Sequence, residues 1–217
     1  MSNIIVFGGT GRTGREVVRQ ALSLNHSVSV FSYTLLAKDK LPSHKRLHII
    51  TGDAKVYHDV DRAIRGHDVV INIIAPKMFD KKNYPISELA TNNIINAMQK
   101  HGVQRYIGQS GAWATEHLHD ASPLMQLSFK VFLPLRNIYH YKKKEDTIVK
   151  NSNLNWTLVR CGLLTNKQPS SPYRIYKKRY TCGVLEVPSI RRVNVAQFEL
   201  KIIDDRSYYQ ECPIIIE

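Results

Sequence analysis

The apolar and polar positions of this chain fall into blocks that alternate between the period of a buried strand and that of a helix. Ile4, Ile5, Val6 and Phe7 make an unbroken apolar run, as a parallel strand covered on both faces requires. The turn Gly8-Gly9-Thr10-Gly11-Arg12-Thr13-Gly14 follows, and then a helical pattern through Glu16, Val17, Val18, Gln20, Ala21 and Leu22. Residues 26–31 predict a second strand ending in Ser32-Tyr33-Thr34, and residues 47–51 a third that stops at Gly52-Asp53-Ala54. A short helix over 56–65 leads to a fourth strand at 69–74, which ends in Ala75-Pro76.

The same alternation continues. Residues 86–100 predict an amphipathic helix with Leu89, Ile94, Ile95 and Met98 on its apolar side, closed by His101-Gly102. A fifth strand at 104–109 runs into Ser110-Gly111-Ala112. Residues 113–129, with Trp113 and His117, read as an irregular substrate-side loop; a long helix starts at Phe132 or later and runs through Asn151, with Pro134 in or before its first turn. A sixth strand is predicted at 155–160, a last helix at 195–203 and a last strand at 212–216. Between them, residues 161–193 break into short strands and turns marked by Pro169, Pro172, Gly183 and Pro188, an irregular segment expected to shape the substrate side.

Strands alternating with helices at this spacing imply an α/β protein, a Rossmann-type doubly wound parallel sheet with helices on both faces. Ligands of such sheets lie beyond the carboxyl ends of the strands. With no repeat, low-complexity tract or linker, residues 1–217 are expected to form one domain.

The strand, glycine-rich turn and helix at the start are the arrangement of a dinucleotide site. Gly8 permits the tight turn, Gly11 keeps side-chain bulk away from the pyrophosphate, and Gly14 lets the helix pack closely on the strand. The pyrophosphate would rest on the helix N-terminus, where unpaired N–H groups and the helix dipole favour an anion. An NAD site usually places an acidic residue after the second strand; here Ser32 and Tyr33 stand there instead. Arg12, with Ser32 and either Lys38 or Lys40, is the expected partner of a 2′-phosphate, so NADP is preferred over NAD. Asp53 either accepts from the adenine amino group or caps the helix that follows.

Composition changes the picture only in its charge. The 43% hydrophobic and 23% charged residues are ordinary globular values, and no apolar run is long enough to span a membrane. Neither a leader nor a membrane partner is expected, and the cytoplasm is the expected location. Cys161, Cys182 and Cys212 are far apart and include no Cys-x-x-Cys pair, which argues against a zinc site or disulfide framework and for buried small residues; no metal is expected. The net charge of +13 admits nucleic acid, an anionic membrane surface or anionic small molecules as partners. Its clusters, from Arg136 to Lys144 and from Arg174 to Arg179, read as solvated faces. Charge supplies no base readout, so nucleic acid is not the expected partner.

Five motifs occur together and in order: the glycine turn at 8–14; Gly52-Asp53-Ala54; Ala90-Thr91-Asn92-Asn93-Ile94-Ile95 with Gly102-Val103; Ser110-Gly111-Ala112; and Trp156-Thr157-Leu158-Val159-Arg160-Cys161-Gly162. In these the chain resembles the atypical short-chain dehydrogenase/reductases of the NAD(P)H-binding, NmrA-like group, and within it the biliverdin IX-beta reductase/flavin reductase type. The resemblance implies that Gly8, Thr10, Gly11, Arg12, Thr13 and Gly14 hold the pyrophosphate and adenosine end. It implies that Asp53 and Ala54 contact adenine, that Ile74, Ala75 and Pro76 line the ribose and nicotinamide side, and that Ser110 neighbours the nicotinamide.

The chain departs from that pattern in three places. Tyr33 stands where such reductases carry an arginine, and Cys161-Gly162-Leu163 stands where they carry Pro-Pro-His. Tyr139-x-x-x-Lys143 matches the proton-transfer pair of ordinary short-chain dehydrogenases but stands about one position out of the family register. One position on a helix is a rotation of ~100°, enough to turn a side chain out of a site. The expected function is therefore an NADPH-dependent reductase passing hydride to a flat conjugated small molecule, a flavin, a tetrapyrrole or a quinone. Ser110 would orient the nicotinamide amide or the acceptor, solvent would supply the proton, and Lys77 or Arg174 would attract carboxylated or phosphorylated acceptors. The alternative is a non-catalytic NADP-binding sensor of the NmrA-like kind.

Overall fold

The computed structural model describes residues 1–217 apart from 35–38, 77, 78, 81, 83, 113–117, 168–171, 178, 184 and 185, and the described side chains apart from those of 129, 134 and 135. Lys38, Lys77, Trp113, His117, Pro169 and Lys178 thus lie outside the described residues.

The apolar run after Ser2 becomes β1 (Asn3–Phe7), and its period of two decides where the layers go. Ile4 and Val6 face one side of the sheet, against Val17, Val18, Ala21 and Leu22 of α1 (Arg12–Ser23) and Val195, Ala196 and Phe198 of α6 (Arg192–Lys201). Ile5 and Phe7 face the other, against α2 (Tyr57–Ile64), α3 (Ile86–His101) and α5 (Leu133–Lys150). The remaining strands are β2 (Ser27–Ser32), β3 (Leu47–Thr51), β4 (Val69–Asn72), β5 (Arg105–Gly111), β6 (Asn155–Cys161), β7 (Leu163–Thr165), β8 (Arg174–Tyr176), β9 (Ser189–Arg191) and β10 (Ile214–Ile216). Among the described residues, eight of the ten strands form one sheet in the order β3-β2-β1-β4-β5-β6-β10-β8, parallel throughout except for β8, which runs antiparallel to β10. This is the doubly wound Rossmann-type fold expected from the alternation.

Two stretches differ from the expectation. Residues 113–129 are not wholly irregular, because Pro123–Val131 forms α4, capped at Ser122, whose hydroxyl accepts from the Met125 amide at 3.5 Å. Ser122-Pro123 is a cap followed by proline at the first helical position, a start signal that the apolar pattern masked. Residues 161–193 hold short strands, as expected, but spacing did not announce how they pair or that the last helix begins earlier. β7 and β9 pair in parallel as a small second sheet, β8 adds an edge to the main sheet, and Arg192 already begins α6.

Among the described residues the basic runs lie on exposed faces, as expected, apart from the buried Lys142, and several of them also find partners. Lys142 pairs with Glu145 at 2.8 Å, Lys144 with Glu88 at 3.0 Å, and Arg179 with the buried Asp120. Of the cysteines only Cys161 is buried; Cys182 and Cys212 are half-buried, and none is in a disulfide. Arg105 is buried without a carboxylate because its guanidinium caps the end of α6, donating to the carbonyls of Ile202 (2.7 Å) and Ile203 (2.8 Å). Burial pushes its pKa down to about 10.

Glu199 of α6 carries a sharper consequence. It is fully buried, and among the described residues neither carboxylate oxygen has a hydrogen-bond partner. Burial pushes its pKa up from 4.5 to about 8. A raised carboxyl contributes stability that is complete below its unfolded pKa and is lost as pH rises through the folded one. Between about pH 6 and about pH 9 the loss is on the order of 3 kcal/mol. The margin by which Glu199→Gln melts above the wild type is therefore expected to widen by roughly 5–10 °C from the lower pH to the higher. Parallel melting curves at both pH values would show that Glu199 ionises freely in the fold.

Candidate cofactor and active site

All the parallel strands of the main sheet end on one edge, and the turns leaving β1, β4, β5 and β6 border a cleft of 620 Å³. The glycine turn forms its floor at the end of β1. Gly8 has φ +83°, and a Cβ there would stand 2.9 Å from the Ile73 carbonyl group, so only glycine makes this turn against the exit of β4. At Gly14 a Cβ would meet the Gly8 oxygen at 2.3 Å, so the close approach this glycine permits is to the turn itself rather than to the body of the strand.

α1 opens at Gly11 with no side-chain cap and no acidic residue in its first turn. The first-turn amides at Arg12, Thr13 and Gly14 therefore point a partial positive charge at the cleft, with no side-chain cap among the described residues to satisfy it. Arg12 and Lys40 also line the cleft. A glycine cradle that a Cβ would fill, an uncapped helix start and adjoining cations together fit a dinucleotide pyrophosphate.

The other wall comes from the ends of β4, β5 and β6. Asn72, buried at the end of β4, donates from Nδ2 to Thr91 Oγ1 and Tyr106 OH, both at 3.0 Å, and accepts from the Ile74 amide at 3.2 Å. That anchor sets the path of Ile74 and Ala75, which line the cleft. Ser110 lies inside β5, its Oγ accepting from Arg160 Nη1 at 3.3 Å. Because a guanidinium only donates, this contact leaves the serine O–H available as a donor toward a ligand. Arg160 is held in turn by Asp146 at 2.6 Å, both side chains being buried.

Lys142, and neither Tyr139 nor Lys143, stands among the described lining residues. Its ammonium donates to the Gln109 carbonyl at 3.0 Å and to Glu145 Oε2 at 2.8 Å, leaving one of its three N–H donors for the cleft. Lys143, one residue on, is exposed. The one-position displacement seen in the sequence thus places Lys142 at the site, and the residue four before it is Ile138. Burial pushes Glu145 up to about 7 against the opposing pull of Lys142.

The adenosine-side candidates are more scattered. Ser32 is buried at the end of β2 with its Oγ accepting from the Thr34 amide at 3.4 Å, and Tyr33 is 81% exposed. Asp53 Oδ1 accepts from the Lys55 amide at 2.9 Å, a turn-capping contact. None of these, nor Ala54 or Pro76, belongs to the described lining of the cleft. Conversely, Lys142, Arg15, Leu164 and Arg192 line it and did not stand out in the sequence as site residues. For Lys142 a signal existed: Lys142, Glu145, Asp146 and Val149 fall at helical core spacing and are all buried.

Comparison with known proteins follows this geometry. A family model described as NAD(P)H-binding matches residues 8–206. A 3-beta-hydroxysteroid dehydrogenase of Mycolicibacterium neoaurum is 26% identical over 117 residues, covering 49% of this chain and 31% of that protein. An uncharacterized chloroplastic protein of Arabidopsis thaliana is 26% identical over 176 residues, 77% of this chain and 61% of its own length. The chain therefore spans less than two thirds of both of these curated relatives. Among solved structures, a short-chain dehydrogenases/reductase from Veillonella parvula in complex with NADP superposes with a TM-score of 0.82 at 18% identity, covering 100% of this chain and 95% of that one. An anaerobillin reductase from Escherichia coli O157:H7 gives 0.80 at 19% identity, with coverage of 99% and 97%. At these identities the two superpositions establish a shared fold. Taken with the match across residues 8–206, the chain belongs to the NAD(P)H-binding family.

Proposed function

We propose that this chain is an NADPH-dependent reductase that passes hydride to a flat conjugated acceptor, a flavin, a linear tetrapyrrole or a quinone. The observation that carries the reading is the pairing of Lys142 at the cleft with Ile138, where a proton-donating tyrosine of the usual Tyr-x-x-x-Lys pair would stand. A conjugated acceptor spreads the charge it receives over its ring system and takes its proton from solvent, so it needs no such phenol. When bound, the dinucleotide supplies the hydride. The protein's share is positional: the loop amides and Arg12 hold the phosphates, Ser110 donates to the nicotinamide amide or the acceptor, and Lys142 keeps a positive charge beside the reacting end. The fold shared with an anaerobillin reductase and with an NADP complex supports the class.

Two substitutions test this reading. Tyr139→Phe is expected to leave flavin reduction within about twofold of wild type, whereas loss of a true general acid costs ~100-fold or more; a fall of that size would restore the Tyr139/Lys143 mechanism. Arg12→Ala is expected to weaken NADPH by about tenfold or more and NADH far less, since a charge-assisted bond to phosphate is worth ~1.5–3 kcal/mol. Equal losses for the two dinucleotides would remove Arg12 from the 2′-phosphate.

A further inference from the structure

Around the start of α1 there is more positive charge than a cofactor's phosphates need. A second cavity of 570 Å³ adjoins the cleft and shares Arg12, Arg15 and Arg192 with it. Its own walls add Arg19 and Lys167, while Gly8, Ser110 and the residues at the end of β2 are absent from its described lining. β7 borders both spaces: Leu164 lines the cleft and its neighbour Thr165 the second cavity, as the alternation of a strand allows.

The charge in this cavity is not balanced as it is elsewhere. In other parts of the molecule buried cations meet carboxylates, as in Arg160 with Asp146 and Arg191 with Glu217, or close a helix end, as Arg105 does. Here the one carboxylate among the described lining residues, Glu16, is taken by Arg19 at 2.8 Å. Arg192 is fixed in place by the Leu164 carbonyl at 3.2 Å and Asn166 Oδ1 at 2.8 Å, both neutral. Its pKa is lowered by burial and by the like charge of Arg12. Concave walls of one sign concentrate the field inside them, and the ligand that relieves this repulsion is an anion.

We propose that the second cavity binds the carboxylate or phosphate arm of the acceptor, so that one acceptor spans both spaces, its ring at the Ser110 end of the cleft and its anionic arm among Arg15, Lys167 and Arg192. The proposal rests on the reductase reading for its ligand but not for its charge. FMN and riboflavin share a ring and differ in a phosphate, so they are the probes, titrated against protein saturated with NADP. FMN is expected to bind about tenfold or more tightly than riboflavin. Lys167→Glu should erase that preference and Lys167→Gln reduce it, both leaving riboflavin and NADPH affinities within about twofold, because Lys167 borders only the second cavity.

Equal affinities for FMN and riboflavin in the wild type would overturn the proposal, as would a Lys167 effect that appears in NADPH binding instead. Inorganic phosphate bound in a Lys167-dependent way, with the two flavins still equal, would mark a free-anion site and also overturn the acceptor arm. An FMN preference lost on substitution, without oxidation of NADPH by any flavin, quinone or linear tetrapyrrole, would keep the anion cavity and remove the reductase reading.

Discussion

Arg160→Met is expected to cost the fold about 3–5 kcal/mol, because it leaves the Asp146 carboxylate buried without its countercharge. For a chain of this length that is a fall of roughly 10 °C in melting temperature. Replacing both partners, as in Arg160→Met with Asp146→Leu, is expected to recover most of it, since a buried ion pair exchanged for apolar groups is often close to neutral. The double variant then isolates a functional effect. Ser110 loses the donor that sets its hydroxyl, so turnover should remain reduced after stability returns. Thermal melts and acceptor kinetics on the two variants check both halves. A single variant that melts with the wild type would mean that Asp146 finds solvent or another cation, and a double variant of full activity would mean that Arg160 does not orient Ser110.

Gly11→Leu separates cofactor binding from folding. Gly11 is exposed, its φ of −71° is ordinary for any residue, and an added Cβ would stand 3.2 Å from the Gly8 oxygen, tight but short of a clash. Gly14 offers no such separation, because its Cβ would meet backbone at 2.3 Å. Gly11→Leu is therefore expected to melt within about 2 °C of wild type while NADPH affinity falls by about 100-fold or more, its side chain occupying the space above the helix start. Affinity retained in a folded variant would move the pyrophosphate off the loop.

The parts of the fold that were legible in the sequence are those in which one local rule decides. The run Ile4 to Phe7, the glycine turn and the helical period after it act over fewer than a dozen neighbours, and both layers of the sheet follow from their alternation. α4 was missed because Leu124 and Leu127 lie 57% exposed and Val131 70% exposed, so its apolar residues mark no buried face. On α5 the difficulty was opposite. Lys142, Glu145 and Asp146 occupy core positions while carrying charges that usually mean solvent, and only their mutual and long-range partners make burial tolerable. Arg192 had no local signal at all: it reaches both cavities because β7 and β9 pair across the 23 residues between them, with no period to announce it. The displaced Tyr139/Lys143 register, by contrast, was readable only against the family pattern; neither residue belongs to the described lining of the cleft.

Oxidation of NADPH by the purified chain, followed by the loss of NADPH absorbance against flavins, quinones and linear tetrapyrroles under saturating cofactor, tests the central claim most directly. Turnover on at least one of these conjugated acceptors, faster with NADPH than with NADH, is the expected result. Tight NADPH binding with no turnover on any of them would contradict the reductase and leave a nucleotide sensor in its place.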